Sequence, residues 1–227
     1  MSGNARRTTA AATVCASLAL ALCPPDVAGS QAVTPSIEST FTDYDTKTCA
    51  HRRGRDVEDY GEWRCKGANG MAVLVHAGDQ RMTMSFGPRA KNERAAGQTL
   101  QGFNDVYKAR IEWRFVREGR GRIRPFAAIV RWNTSLLDDD DASGKARSAL
   151  PKTVHGQVLV VTRLGAGGVC HVGYVDALAN PDANELARKI ADERARTFRC
   201  DANKPVIVGK TGPGFSSSSE AEKIDRP

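Results

Sequence analysis

Five arginines are the residues of this chain whose type and spacing most plainly point to chemistry. Arg110, Arg114, Arg120, Arg122 and Arg124 share parity across a segment that alternates polar and apolar residues. Side chains two apart on a strand share a face. An unbroken hairpin therefore projects all five guanidinium groups from one side. Such a face attracts anions, for example an acidic envelope polymer or protein. The competing reading is an ordinary solvated sheet face. Trp113 belongs to the opposite set, so ring stacking beside the arginines is not expected.

Acyl-transfer chemistry needs a serine on a tight elbow, a histidine and an acid. Ser85 stands in Met84-Ser85-Phe86-Gly87, without the G-x-S-x-G frame. His171 and Asp176 fall on or near one strand, on opposite faces by simple alternation. A hydrolase built around Ser85 or His171 is the alternative function, and no catalytic residue is assigned. Metal chemistry has equally little support. His51, His76, His155 and His171 include no pair at i,i+4 or i,i+2, and the cysteines include no C-x-x-C. Asp138 to Asp141 are consecutive, whereas a calcium loop alternates its ligands around a glycine. Gly209-Lys210-Thr211 resembles the end of a phosphate loop, but Lys204 stands where the first glycine is needed. Gly165-Ala166-Gly167-Gly168 leads into a strand and reads as a hairpin turn, not a dinucleotide cradle. No cofactor is expected.

The cysteines carry chemistry of another kind. Arg6 and Arg7 precede a small apolar run from Thr8 to Leu22, broken by Pro24 and Pro25. This is the order of a secretory signal, with a cut expected after Ala32 or, as a second choice, after Ser30. The run is too short for a permanent membrane anchor, and Leu22 directly before Cys23 disfavours lipidation. Removal of residues 1–32 takes one unit from the net charge of +7 and leaves Cys49, Cys65, Cys170 and Cys200. Four cysteines in an exported chain read as two disulfides. Three pairings are available, and the sequence-local one, Cys49–Cys65 with Cys170–Cys200, is the expectation. Export to the periplasm or medium also makes nucleic acid an improbable partner despite the charge.

The elements that must position these residues are mostly strands. Met82, Met84 and Phe86 share one face of Arg81 to Phe86. Ile111, Trp113 and Phe115 face inward where Arg110, Glu112 and Arg114 face outward. Ile123 to Trp132 has two apolar faces and reads as a covered strand, with Pro125 at an edge or bulge. Gln157 to Leu164 and Val169 to Val175 form a further hairpin, with Val172 and Tyr174 beside Cys170. Asn180 is placed to cap a helix with Pro181 at its first position. On that helix Ala183, Leu186, Ala187, Ile190 and Phe198 form an apolar stripe, and Glu185–Lys189 and Asp192–Arg196 have favourable spacing on the wet side.

At 227 residues, with 41% hydrophobic and 26% charged side chains, the chain suits one domain with removable ends. The expected fold is α+β: an antiparallel sheet of about six or seven strands in hairpins, with a C-terminal helix on one face. The expected organisation is a signal peptide over 1–32, a linker over 33–42, a single disulfide-stabilised domain over 43–208 and a disordered tail over 209–227.

Several stretches together carry a resemblance: Tyr44-Asp45, Cys49, Trp63-Arg64-Cys65, Gly78-Asp79-Gln80-Arg81, Ser85-Phe86-Gly87-Pro88, and Cys170 to Ala177 followed by Ala179 to Ala187. The chain resembles a group of uncharacterised exported proteins of alpha-proteobacteria over about Phe41 to Cys200. The resemblance implies export and four cysteines, and no activity. The reading that follows is an exported, non-enzymatic binding module, with the basic hairpin face as the site for an anionic envelope partner.

Overall fold

Alternating apolar residues build two sheets that share one core. The computed structural model describes residues 36–55, 59–117, 124–137 and 153–215. The strands are β1 (Ser36–Asp45), β2 (Ala50–Arg52), β3 (Asp59–Lys66), β4 (Ala72–Gly78), β5 (Arg81–Phe86), β6 (Phe103–Asp105), β7 (Lys108–Arg117), β8 (Pro125–Leu137), β9 (Thr153–Arg163) and β10 (Cys170–Asp176). Helix α1 (Ala183–Ile190) follows and runs into a π-helical turn, and β11 (Val206–Ile207) closes the described fold.

The larger sheet has seven strands in the order β1-β7-β8-β9-β10-β11, with β6 pairing the far end of β8. It is mixed, because β11 runs parallel to β10. A second, antiparallel sheet has the order β2-β3-β4-β5. The described fold is thus mostly β where α+β was expected, and a C-terminal helix packs on one sheet as expected. The single antiparallel sheet is corrected to two sheets, one of them mixed. Hairpin periodicity cannot say which hairpins join edge to edge and which stack face to face.

The stacking creates three layers. Val73, Val75, Met82, Met84 and Phe86 of the small sheet meet Ile111, Trp113, Val130, Trp132 and Val160 of the large one. On the opposite face, Ala127, Ile129, Leu159 and Val161 meet Ala183, Ala187, Ile190 and Ala191. Alanines on that helical face let it lie close to the sheet. β8 and β9 are apolar on both sides because both sides are covered. Of the edge or bulge expected at Pro125, the structure has the bulge: the register with β7 shifts between Arg114 and Phe115. At the tip of β4–β5, Asp79 and Gln80 both adopt positive φ, 46° and 57°. That is the twist-matched two-residue hairpin turn.

Both disulfides pair as the local reading expects. Cα atoms lie 4.8 Å apart for Cys49–Cys65 and 5.8 Å for Cys170–Cys200. The first ties the loop after β1 to β3, and the second ties β10 to the segment after the helix.

Several local expectations need correction. Ser36 to Thr42 belong to β1, paired along its length with β7, so the linker expected over 33–42 is largely strand. Asn180 does not cap the helix with its side chain: its Nδ2 donates to the carbonyls of Asp176 and Lys210, and its Oδ1 accepts from Lys210 N–H. Residues 209–215, expected in a disordered tail, run back over the domain to Asp176. The expected signal peptide, the Asp138–Asp141 run and residues 216–227 lie outside the described residues.

Candidate functional site

The arginines expected on one solvated face have different fates. Arg120 and Arg122 lie outside the described residues, and Arg124 is exposed just before β8. Arg114 is only 8% exposed. Its Nε donates to Asp192 Oδ1 at 2.9 Å, its Nη2 donates to Asp192 Oδ2, and its Nη1 donates to Ser39 Oγ. The wet-face reading fails here because the helical segment packed on this face reaches β7, next to the edge strand β1, and supplies an acid. Asp192 accordingly pairs with Arg114 instead of the expected Arg196, whose guanidinium lies over the Phe126 ring at 5.7 Å.

The same fork geometry recurs around this edge. Arg188 Nε and Nη2 donate to the two oxygens of buried Glu112 at 2.7 and 3.2 Å. Arg110 donates to both oxygens of Asp43 at 2.8 and 3.2 Å, and Arg117 to both of Glu38 at 2.8 and 3.0 Å. Paired donation of this kind orients as well as neutralises. The Arg117 guanidinium beside Glu38, and that of Arg110 beside Asp43, hold those carboxyls below their ordinary range.

Arg131 on β8 breaks the pattern. Its Nη1 donates to Gln157 Oε1 at 3.2 Å and its Nη2 to Asn184 Oδ1 at 3.3 Å. Both partners are neutral amides, and no carboxylate among the described residues pairs with it. Burial pushes its pKa below the usual arginine value, the mark of an under-compensated cation. Lys108 likewise makes no ion pair with a described residue. Sequence parity did not single out Arg131, because it interrupts the apolar face of a covered strand. That interruption, Ile129-Val130-Arg131-Trp132, was the signal available.

These two cations line a cleft of about 350 Å³ between the helix-side face of the large sheet and the start of α1. Arg110 and Arg188 stand in its wall with Asn133 and Asn184, while Ile129, Leu159 and Phe41 supply apolar surface. Phe41 is 49% exposed. Of the three described arginines of that set, Arg110, Arg114 and Arg124, only Arg110 lines this cleft.

A second cleft of about 370 Å³ is lined by Tyr60, Phe103 and Tyr107, together with Gln80, Arg81 and Asp105. All three aromatic residues are substantially exposed. Tyr107 packs edge-on against Trp63 at 5.8 Å, and Trp63 stacks on His51 at 4.7 Å. Burial, with the Asp105 charge adding to it, raises the Tyr107 hydroxyl above the ordinary tyrosine pKa.

Ser85 and His171 are both 1% exposed and line neither cleft. A register shift between His171 and Gly173 inserts an extra residue into β10. The bulge reverses the parity beyond it. Tyr174 therefore joins the core between the sheets, away from Cys170 and Val172, and its hydroxyl meets His171 Nδ1 at 3.0 Å. Burial pushes the His171 pKa down to about 3, so the ring is neutral at neutral pH. Asp176 Oδ1 accepts the N–H groups of Leu178 and Ala179, and its Oδ2 those of Gly212 and Gly214. The carboxylate is thus spent on backbone and does not orient His171.

Among the described residues, no three His, Cys, Asp or Glu side chains gather as a metal site. No helix among them is long and apolar enough to cross a membrane. No family model, curated protein or solved structure matches this chain.

Proposed function

We propose that the protein is an exported, non-enzymatic binding module that holds an anionic envelope ligand in the cleft around Arg131. The observation that carries this reading is the half-buried Arg131 guanidinium, held by two neutral amides on a sheet face where four other arginines each have a carboxylate. An arriving anion completes the missing pair, and the site is already ordered to receive it. The apolar surface from Ile129, Leu159 and Phe41 suits a ligand with a non-polar body beside its charge.

The signal-like N-terminus, the resemblance to exported proteins and the two disulfides support a periplasmic or secreted location. The hydrolase alternative loses its support, since Ser85, His171 and Asp176 are committed to packing and backbone bonds.

The test is co-sedimentation of the mature protein with the insoluble envelope fraction at rising salt. Retention should be salt-sensitive and fall at least severalfold in Arg131→Gln. It should be unchanged in Arg199→Gln, which removes an equal charge from an exposed pair. Equal retention of both variants and the unaltered protein refutes the reading.

A further inference from the structure

The cationic and aromatic clefts meet. Asn133 lines the first and Asp105 the second, and Asn133 Nδ2 donates to Asp105 Oδ1 at 3.3 Å. Tyr107 and Lys108, adjacent in sequence, line one cleft each. The two depressions therefore form one track along β6, β7 and β8. Arg131 and Ser135 sit four residues apart on β8, about 13 Å at the rise of a strand. A single small anion cannot span that distance, and an oligomer of several rings can.

The two ends have different chemistry. At the cationic end, Arg131 and Lys108 lack ion-pair partners among the described residues. At the aromatic end, Arg81 and Asp105 offset each other, so the local charge is balanced. The exposed surface there includes the side chains of Tyr60, Phe103 and Tyr107, with Gln80 and Ser135 among the cleft residues. Exposed aromatic rings with a polar rim fit ligands that are apolar on one face and hydroxylated at the edge. Sugar rings have that character.

We infer that the track binds an acidic polysaccharide. Its rings lie against Tyr60, Phe103 and Tyr107, and its anionic substituents meet Lys108 and Arg131. This inference rests on the anion-binding reading of the Arg131 cleft and adds the class of polymer that fills it. A chain carrying both rings and charges uses both ends at once, and linked contacts strengthen binding beyond either alone.

The experiment is calorimetric titration of the mature protein with hexagalacturonate and a hyaluronan hexasaccharide as acidic probes. Digalacturonate, cellohexaose and a proline decamer complete the set. At least one acidic hexasaccharide should bind, with the affinity reduced about tenfold by Arg131→Gln and about tenfold by Tyr107→Ala. Tyr60→Ala repeats the aromatic test should Tyr107→Ala fold poorly. Digalacturonate should retain its sensitivity to Arg131→Gln and lose its sensitivity to Tyr107→Ala.

Acidic hexasaccharide binding that ignores both aromatic variants overturns the track and leaves the anion cleft standing. Binding of digalacturonate alone does the same. Binding of cellohexaose or the proline decamer without either acidic hexasaccharide overturns the inference in favour of a different occupant. Hexasaccharide binding unaffected by Arg131→Gln overturns the inference and the anion-binding reading together, as does no binding of any probe.

Discussion

Arg114 on β7 and Asp192 in the π-helical turn are joined through two guanidinium nitrogens and both carboxylate oxygens, Nε to Oδ1 at 2.9 Å. This clamp fastens the helical layer to β7, the strand next to the edge of the large sheet. Removing Asp192 leaves the poorly solvated Arg114 with a hydroxyl, Ser39, and the Glu112 carboxylate 3.9 Å away in place of a fork partner. Asp192→Ala should therefore destabilise the protein by about 3 kcal/mol in urea unfolding. Arg114→Leu with Asp192→Leu should recover part of that loss, because no uncompensated charge remains.

His171 makes stability fall with acid. The ring is buried and neutral, with its pKa pushed down to about 3. The unfolded chain binds that proton near the ordinary histidine value, about 6.5. Below that point the unfolded state holds more protons than the folded state, so stability drops as pH falls through the window from about 6.5 to 3. From pH 6 to pH 5 the loss from this group is about 1 kcal/mol. Above pH 7 the contribution is flat. Urea titrations at each pH should show this slope in the unaltered protein and its removal in His171→Phe, which keeps an aromatic ring against Trp132 and Tyr174.

Asp176 is fully buried and accepts four backbone N–H bonds, two of them from Gly212 and Gly214. Asp176→Asn replaces one acceptor oxygen with a donor that faces N–H groups. The expected cost is about 3 kcal/mol. Limited proteolysis should then cut within residues 209–215, and the unaltered protein should resist there.

The disulfides close loops of 16 and 30 residues. Each contributes about 3 kcal/mol on a chain-entropy estimate. Peptide mapping of the non-reduced protein should recover Cys49 linked to Cys65 and Cys170 linked to Cys200. Cys170→Ala with Cys200→Ala should lower the urea midpoint without abolishing the folded signal.

The strands were largely legible because their periodicity is local. Met82-Met84-Phe86 and Ile111-Trp113 alternate as they pack. The two faces of β8 were legible for the same reason, and Pro125 narrowed its own place to an edge or a bulge. The second sheet was not, since stacking and edge pairing leave the same alternation. β10 misled because one inserted residue reversed its parity and put Tyr174 beside His171. The candidate site was only half legible. Parity found Arg110 and Arg114, but the partners that occupy them, Asp43 and Asp192, come from 67 and 78 residues away. Arg131 stayed hidden because its significance lies in which carboxylates are missing from its surroundings.

The anion-binding role of Arg131 is tested most directly by observing its side-chain Nε–Hε resonance during titration with hexagalacturonate. A saturable shift at Arg131, larger than those of the fork-paired Arg110, Arg114 and Arg188, is the expected result. A titration in which Arg131 stays still while exposed arginines such as Arg199 move is incompatible with that role.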